Sequence, residues 1–209
     1  TLVKFYKKGY FPMAENEESE NIKFYKPNLR FIIPILNFHC PKKLFNEYKK
    51  TKYYFKVNCN FYEVINYCKK IKRRDKSTWI NQIIVNTYEE LHKIGVCHSI
   101  ECYEKDNLIG GLYGVHLGSC FFGESMFSIK KNTSKFCLLY LLGILKKHNF
   151  LLLDSQFYNE HLLQFGAYEI NNNTYETKLN KGLKKETKFI DLNNFQEAIS
   201  LLQSTNHRS

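Results

Sequence analysis

Asp154, Ser155 and Gln156 set a carboxylate and an amide two positions apart at the end of the apolar run Phe150 to Leu153. Side chains alternate along a strand, so Asp154 and Gln156 are expected on one side. An acid that accepts from the NH2 group of an amide fixes its orientation and leaves its oxygen free to accept a proton from a reacting amine. The plainer reading of the pair is a polar cap on a strand end. A second carboxylate, Glu124, stands among Phe121, Phe122, Met126 and Phe127, where it needs a partner or a ligand to offset its desolvation. Its plainer reading is a side chain facing solvent at a strand edge. Glu124 belongs to Gly110–Phe127, which has five glycines in eighteen residues. Glycine weakens strands and marks bulges or close approach by a ligand, so this stretch reads as the floor of a site.

These residues need a sheet to hold them. Val96–Tyr103, Leu108–Val115 and Cys120–Phe127 read as three strands joined by Lys105-Asp106-Asn107 and Leu117-Gly118-Ser119, an antiparallel meander. Lys130–Lys135 leads into an apolar helix through Lys147, followed by a buried strand at Phe150–Asp154 and a helix from Tyr158 to Phe165 closed by Gly166. Upstream, Phe31-Ile32-Ile33 is a strand stopped by Pro34, Pro41–Lys50 a basic helix and Lys52–Asn58 a strand. Asn60 with Glu63 signals a helix running to about Arg74, and Asn81–Ile94 a helix stopped by Gly95. The cations Lys69, Lys70, Lys72, Arg73 and Arg74 form either a solvated face or one that contacts phosphate. The order predicts an α+β fold that resembles the acyltransferase domain of the N-acetyltransferase (GNAT) superfamily. Its expected organisation is an N-terminal subdomain over 1–58, the GNAT-like domain over 59–183 and a basic C-terminal extension over 184–209, with weak helical periodicity at Leu192, Phe195, Ile199 and Leu202.

With 31 Lys and Arg against 20 Asp and Glu, the 209-residue chain carries a net charge of +11, which makes polyanions such as nucleic acid the leading partner class. Abundant Lys, Asn, Tyr and Phe with scarce Ala is also what an AT-rich genome produces. The seven cysteines show no Cys-x-x-Cys pair and no zinc-type spacing, which predicts no metal and a reducing compartment. No apolar run reaches the length of a membrane span and Thr1–Tyr10 lacks a secretory signal, so a cytoplasmic location away from membranes is expected.

Several motifs in order carry a family resemblance: Gly9-Tyr10-Phe11-Pro12-Met13, Phe24-Tyr25-Lys26-Pro27-x-x-Arg30, Thr78-Trp79-Ile80 and His98-Ser99-Ile100-Glu101. Further on come Gly110-Gly111-Leu112-Tyr113-Gly114, Gly123-Glu124-Ser125-Met126-Phe127-Ser128, Asn132-Thr133-Ser134-Lys135, Leu153-Asp154-Ser155-Gln156 and Phe165-Gly166-Ala167. Over roughly residues 5 to 180 the chain resembles the leucyl/phenylalanyl-tRNA–protein transferases. The resemblance implies transfer of an aminoacyl group from charged tRNA to the N-terminal α-amine of a protein, marking it for degradation through the N-degron pathway. It implies no cofactor beyond aminoacyl-tRNA as co-substrate, and acceptor proteins or peptides bound through their N-terminus by an enzyme expected as a monomer. By the same resemblance Asp154 and Gln156 are the catalytic pair, Glu124 places the donor's aminoacyl group and Trp79 packs on the terminal adenosine. Met13 stands where some members stack a tryptophan on that adenosine. Leu112, Phe121, Met126, Leu138 and Leu153 are expected to line the donor side-chain pocket. Lys130, Lys131 and Lys135, at a helix N-terminus that favours anions, are expected to bind phosphates of the tRNA 3′ end.

The chain departs from the family pattern at Phe24-Tyr25, often two tryptophans, at Ser155, often Cys, and at His116, where small residues are usual. Three alternatives stand beside the main reading. An arginyl-tRNA donor with acidic acceptors would want a pocket carboxylate, for which Glu124 and Glu101 are candidates. An acetyl-CoA-dependent enzyme would need a glycine-bearing pyrophosphate loop, which Lys130–Lys135 is not. A non-catalytic RNA-binding protein explains the charge but not Glu124, Asp154 and Gln156 together.

Overall fold

The computed structural model describes residues 2–71 and 78–206, with side chains to 203. The expected helix end at Lys72–Arg74 and the loop before Thr78 lie outside the described residues. In chain order the elements are α1 (Leu2–Tyr6), β1 (Phe11–Ala14), β2 (Ile22–Tyr25), β3 (Leu29–Ile33), α2 (Lys42–Lys50), β4 (Tyr54–Val57), α3 (Phe61–Lys70) and α4 (Gln82–Lys93). After them come β5 (Cys97–Glu104), β6 (Asn107–Leu117), β7 (Cys120–Ser128), α5 (Thr133–Lys147), β8 (Leu152–Asp154), α6 (Glu160–Leu163), β9 (Tyr168–Asn171), α7 (Asn172–Lys184) and α8 (Phe195–Asn206).

The architecture is mixed α+β. Among the described residues seven strands form one sheet in the order β4-β5-β6-β7-β8-β3-β9, while β1 and β2 form a separate antiparallel ribbon. The meander β5-β6-β7 forms as its turn chemistry predicts, and β3 and β4, both from residues 1–58, belong to the same sheet. The pair β7–β8 is parallel and short: Cys120, Phe121 and Phe122 face Leu152, Leu153 and Asp154. Beyond Phe122, β7 runs on to Ser128 while β8 ends at Asp154. A gap therefore opens in the middle of the sheet.

Alternation sends apolar side chains into a core on each face of the sheet. One packs α2, α5 and α8 around Leu112, Phe121 and Leu153; the other packs α1, α3, α4 and α7 around Tyr113, Phe122 and Ile32. The apolar helix expected after Lys135 is α5, buried almost all round because α8 covers its outer side, with Leu192 and Ala198 against Gly143.

Some expectations are revised. The helix over Tyr158–Phe165 shortens to the single turn α6, capped by Asn159 and closed by Gly166 at φ +79°. The weak helical periodicity at Phe195, Ile199 and Leu202 belongs to α8, and α7 adds a helix before it whose buried face is Tyr175, Leu179 and Gly182. Asn60 does not cap α3 with its side chain. Glu101, buried beneath, accepts instead from the backbone N–H groups of Cys59 (3.0 Å) and Asn60 (2.9 Å).

Candidate active site

The glycines of Gly110–Phe127 mostly serve packing inside the protein. A Cβ on Gly110 would stand 2.4 Å from Oγ1 of Thr133, and one on Gly114 would stand 2.4 Å from the Phe121 ring. Gly123 differs: it lines a cavity, and its nearest neighbour would be the Asp154 carbonyl oxygen at 3.6 Å. Next to it the ladder skips a residue, pairing Tyr113 with Ser125 but Gly114 with Gly123, so Glu124 sits on a bulge. Bulges re-aim side chains. This one turns Glu124 toward the gap between β7 and β8.

Three uncharged donors hold the Glu124 carboxylate. The Tyr6 hydroxyl donates to Oε1 at 2.6 Å, the Tyr88 hydroxyl to Oε2 at 3.0 Å and Gln156 Nε2 to Oε1 at 2.8 Å, while the two tyrosine hydroxyls also touch each other. Burial pushes the Glu124 carboxyl up to about 7, the three donors pull against it, and the charge of Asp154 adds to the rise. The solvent-facing reading of Glu124 does not hold, because β7 is an interior strand and the carboxylate has three partners.

Asp154 has an ionic surrounding. Arg30, 1% exposed, gives its carboxylate Nε at 2.9 and 3.0 Å and Nη2 at 2.7 Å, and uses Nη1 on the Gly9 carbonyl at 2.9 Å. The guanidinium lies between the rings of Phe11 and Tyr175, 4.6 and 4.5 Å from their centroids. The Tyr175 hydroxyl donates to Oδ2 at 2.7 Å. Asp154 also accepts from Gln156, but from its backbone N–H at 2.8 Å and not from its side-chain NH2 group. The two side chains do not share one side as strand alternation predicts, because β8 ends at Asp154 and Gln156 adopts φ +69° in the left-handed region. Gln156 thus links the two acids, its backbone on Asp154 and its amide on Glu124.

Beside this link lies a cavity of about 350 Å3, bounded by Gly123, Glu124, Asp154 and Ser155 and walled by Ile33, Leu112, Met126, Leu138, Leu141, Leu153 and Leu162. Of the residues expected to line a donor pocket, Leu112, Met126, Leu138 and Leu153 are present and Phe121 is not. Phe121 is fully buried, its ring 5.3 Å from that of Phe189 in the chain after α7. Glu101 is likewise absent from the cavity, held by the backbone N–H groups of Cys59 and Asn60 before α3 and by the Ser99 hydroxyl at 2.7 Å.

Trp79 and Met13 lie outside the cavity lining, in neighbouring segments, since the Ala14 N–H donates to the Trp79 carbonyl at 3.2 Å. Lys130 pairs with Glu104 at 2.5 Å, Lys131 is exposed, and Lys135 donates to Gln164 Oε1 at 3.3 Å. Lys130 and Lys131 precede α5 and Lys135 lies in its first turn, where Ser134 N–H already donates to the Ser128 hydroxyl at 2.9 Å. Among the described residues no group of three or more His, Cys, Asp or Glu is placed to hold a metal ion, and no helix is long and apolar enough to cross a membrane.

Sequence reasoning missed the supports: Tyr6, Tyr88, Arg30 and Tyr175. Only Arg30 carried a local signal, a lone charge in the apolar strand Leu29-Arg30-Phe31-Ile32-Ile33, where a buried cation demands a partner.

Two curated proteins, both named leucyl/phenylalanyl-tRNA–protein transferase, are similar to the chain. The one from Hyphomonas neptunium is 40% identical over 183 residues, 88% of this chain and 71% of its own length. The one from Maricaulis maris is 38% identical over 208 residues, 100% of this chain and 96% of its own. Among solved structures, L-PGS from Bacillus licheniformis aligns over 100% of this chain and 70% of its own at 9% identity and a TM-score of 0.44. The profile of the leucyl/phenylalanyl-tRNA protein transferases matches residues 32–180, which include the end of β3, every strand of the meander and both acids of the site. With that match and these identities, the chain belongs to the leucyl/phenylalanyl-tRNA–protein transferase family, a family of aminoacyltransferases.

Proposed function

We propose that the protein moves a leucyl or phenylalanyl group from charged tRNA to the N-terminal α-amine of an acceptor protein, at a centre made by Gln156, Glu124 and Asp154. The observation that carries this reading is the apolar cavity with the Glu124–Gln156 hydrogen bond at its boundary. The donor side chain enters the cavity and leaves its ester carbonyl beside that pair. Burying a leucine or phenylalanine side chain contributes roughly 1.5–3 kcal/mol, and the bound geometry converts attack into an intramolecular event.

The amine nitrogen attacks the ester carbonyl carbon, a C–N bond forms, the bond from that carbon to the ribose oxygen breaks, and the amine proton ends on the ribose hydroxyl. Gln156, its NH2 group committed to Glu124, offers its amide oxygen to the attacking amine. Glu124 takes the proton and returns it to the leaving oxygen. A carboxyl titrating at about 7 suits this exchange with an α-amine of pKa about 7.7–8.0. Asp154 pairs with Arg30 and acts by holding the Gln156 backbone.

The parting of the parallel strands β7 and β8 beside the cavity supports a GNAT-like arrangement, with the acyl donor carried by tRNA and no further cofactor. Trp79 and Met13 would meet the terminal adenosine, and Lys130, Lys131 and Lys135 the phosphates near the 3′ end. The chain would work in the cytoplasm, and its products would enter the N-degron route. An arginyl donor is disfavoured: both cavity acids are engaged, Asp154 by Arg30 and Glu124 by three donors, and Glu101 is elsewhere.

The test is incubation with tRNAs charged with labelled Leu, Phe or Arg and with peptides beginning in Arg, Lys, Asp or Glu. Leu and Phe are expected to transfer in preference to Arg. Absence of transfer to every peptide would refute the enzyme reading, and preferred transfer of Arg would refute the donor assignment.

A further inference from the structure

Residues 185–194 connect α7 to α8 across one face of the sheet with neither helix nor strand of their own, beyond the residues that the profile matches. The connection is anchored by Phe189. Its ring stacks on His98 of β5, with centroids 4.3 Å apart, and on Phe121 of β7 at 5.3 Å, and His116 of β6 is 6.2 Å away. The two imidazoles are 5.6 Å apart. His116 bonds through Nε2 to the Gly118 carbonyl at 2.8 Å, beside the Thr187 hydroxyl at 3.2 Å. In His98 the hydrogen bonds fix the tautomer. The Asn58 side-chain oxygen accepts from the Ser99 N–H at 3.0 Å, so its NH2 group is what faces His98 Nδ1 at 2.9 Å. Nδ1 is thus the acceptor and Nε2 carries the proton, buried and without a hydrogen-bond partner among the described residues. A second proton can go only to Nδ1, where it meets the Asn58 NH2 group donor to donor.

We propose that this connection is an acid-released strap: uncharged His98 and His116 hold Phe189 on the sheet, and protonation of His98 lets residues 185–194 lift while α8 stays docked. The groups around the pair offer the new charge no carboxylate. Glu101 alternates to the opposite face of β5. His92 of α4 bonds the Cys97 carbonyl at 2.8 Å, and His148 ends α5. On the strap, Lys185 bonds the Asn149 carbonyl at 2.7 Å, Asp191 accepts from the Tyr140 hydroxyl at 2.9 Å, and Glu186 and Lys188 are exposed. Burial, reinforced by His116 and His92, lowers the His98 imidazole to about 3, and burial lowers His116. The closed strap therefore prefers neutral rings. It is fully held above the ordinary imidazole value of about 6.5, and below that value the lifted form gains up to about tenfold per pH unit. The release is local, because α8 keeps its own anchors, the Lys147–Glu197 ion pair at 2.7 Å and the bond from Lys146 to the Leu201 carbonyl at 2.6 Å. Its cost to the folded chain is limited to the free energy that closes the strap, and it runs opposite in sign to the titration of Glu124. Lifting Phe189 takes the backing from Phe121, which pairs with Leu153, the residue before Asp154.

Hydrogen exchange read by mass spectrometry on the full chain at pH 7, 6 and 5, corrected for the pH dependence of intrinsic exchange, measures the opening of residues 185–194. In the wild type, opening is expected to grow roughly tenfold or more from pH 7 to pH 5 with β5, β6 and α8 still protected, and in His98→Gln to stay nearly level. Phe189→Ser should open the segment already at pH 7 and return the His98 imidazole, titrated by NMR, to its ordinary range near about 6.5; this arm decides the matter if the glutamine variant does not fold. Opening that is independent of pH in the wild type, or that grows equally in folded His98→Gln, overturns the proposal. So does a wild-type His98 that titrates in its ordinary range while the segment stays protected, and so does acid opening of the segment only together with the whole sheet. None of these readouts depends on transfer activity.

Discussion

Asp154 and Glu124 are acids of the same cavity, joined through one glutamine, yet their surroundings are opposites. Asp154 sits in an ionic clamp of Arg30, Tyr175 and a backbone N–H. Glu124 sits in a cage of two phenols and an amide, and among the described residues no cation forms an ion pair with it. A buried cation fixes a carboxylate in its charged form and makes it structural, whereas neutral donors hold the position but leave the proton free to come and go. Placing the two side by side gives a rigid anchor for Gln156 and a titratable group at its tip.

The largest expected effect comes from breaking the clamp. Asp154→Ala strands the Arg30 guanidinium among Phe11 and Tyr175 and should cost about 3–5 kcal/mol in urea unfolding together with nearly all transfer. Gln156→Ala removes the link alone. It should lower transfer by roughly 10²–10³-fold while leaving the unfolding midpoint close to the wild type; an equal loss of stability would assign Gln156 to the clamp.

The cage is tested by pH. Because folding raises the Glu124 carboxyl from its ordinary range to about 7, the folded protein holds a proton that the unfolded chain releases. Stability therefore falls as pH rises from about 4.5 towards 7, by an amount of the order of 3 kcal/mol at most. Glu124→Gln should flatten that slope in unfolding titrations, and an unaltered slope would place the titration on another group. Tyr6→Phe removes one of the donors that favour the carboxylate, so the acid limb of the transfer rate should move to higher pH while the fold persists. The smallest effect is expected outside both regions. Lys130→Glu with Lys131→Glu should weaken tRNA affinity and reduce its salt slope by roughly 0.7 per lost phosphate contact, and unchanged binding would remove that loop from the tRNA surface.

Legibility in the sequence follows the range of the interactions. The meander, the apolar helix α5 and the placement of both acids were readable, because strand alternation, turn residues and the isolation of a carboxylate among aromatic side chains are local signals. The cage was not. Tyr6 and Tyr88 reach Glu124 from 118 and 36 positions away, and in the sequence they are ordinary aromatic residues on helices. The glycines misled for a related reason. Close approach was the right physical reading, but at Gly110 and Gly114 what approaches is Thr133 and Phe121, from the protein itself. The expected bond from Asp154 to the Gln156 side chain failed because the strand ends at Asp154, two residues short of Gln156. Phe121 left the pocket because Phe189, in a segment with no readable periodicity, supplies its ring partner.

The central claim is that the caged carboxylate of Glu124, acting beside Gln156, handles the proton of the attacking amine. It is tested most directly by single-turnover leucyl transfer from charged tRNA to a peptide, measured from pH 5.5 to 9 for the wild type and Glu124→Gln. The account predicts that the wild-type rate rises through two ionisations, one near 7 and one belonging to the peptide amine, and that Glu124→Gln is slow and keeps only the second. A Glu124→Gln enzyme with the rate and both ionisations of the wild type would contradict it.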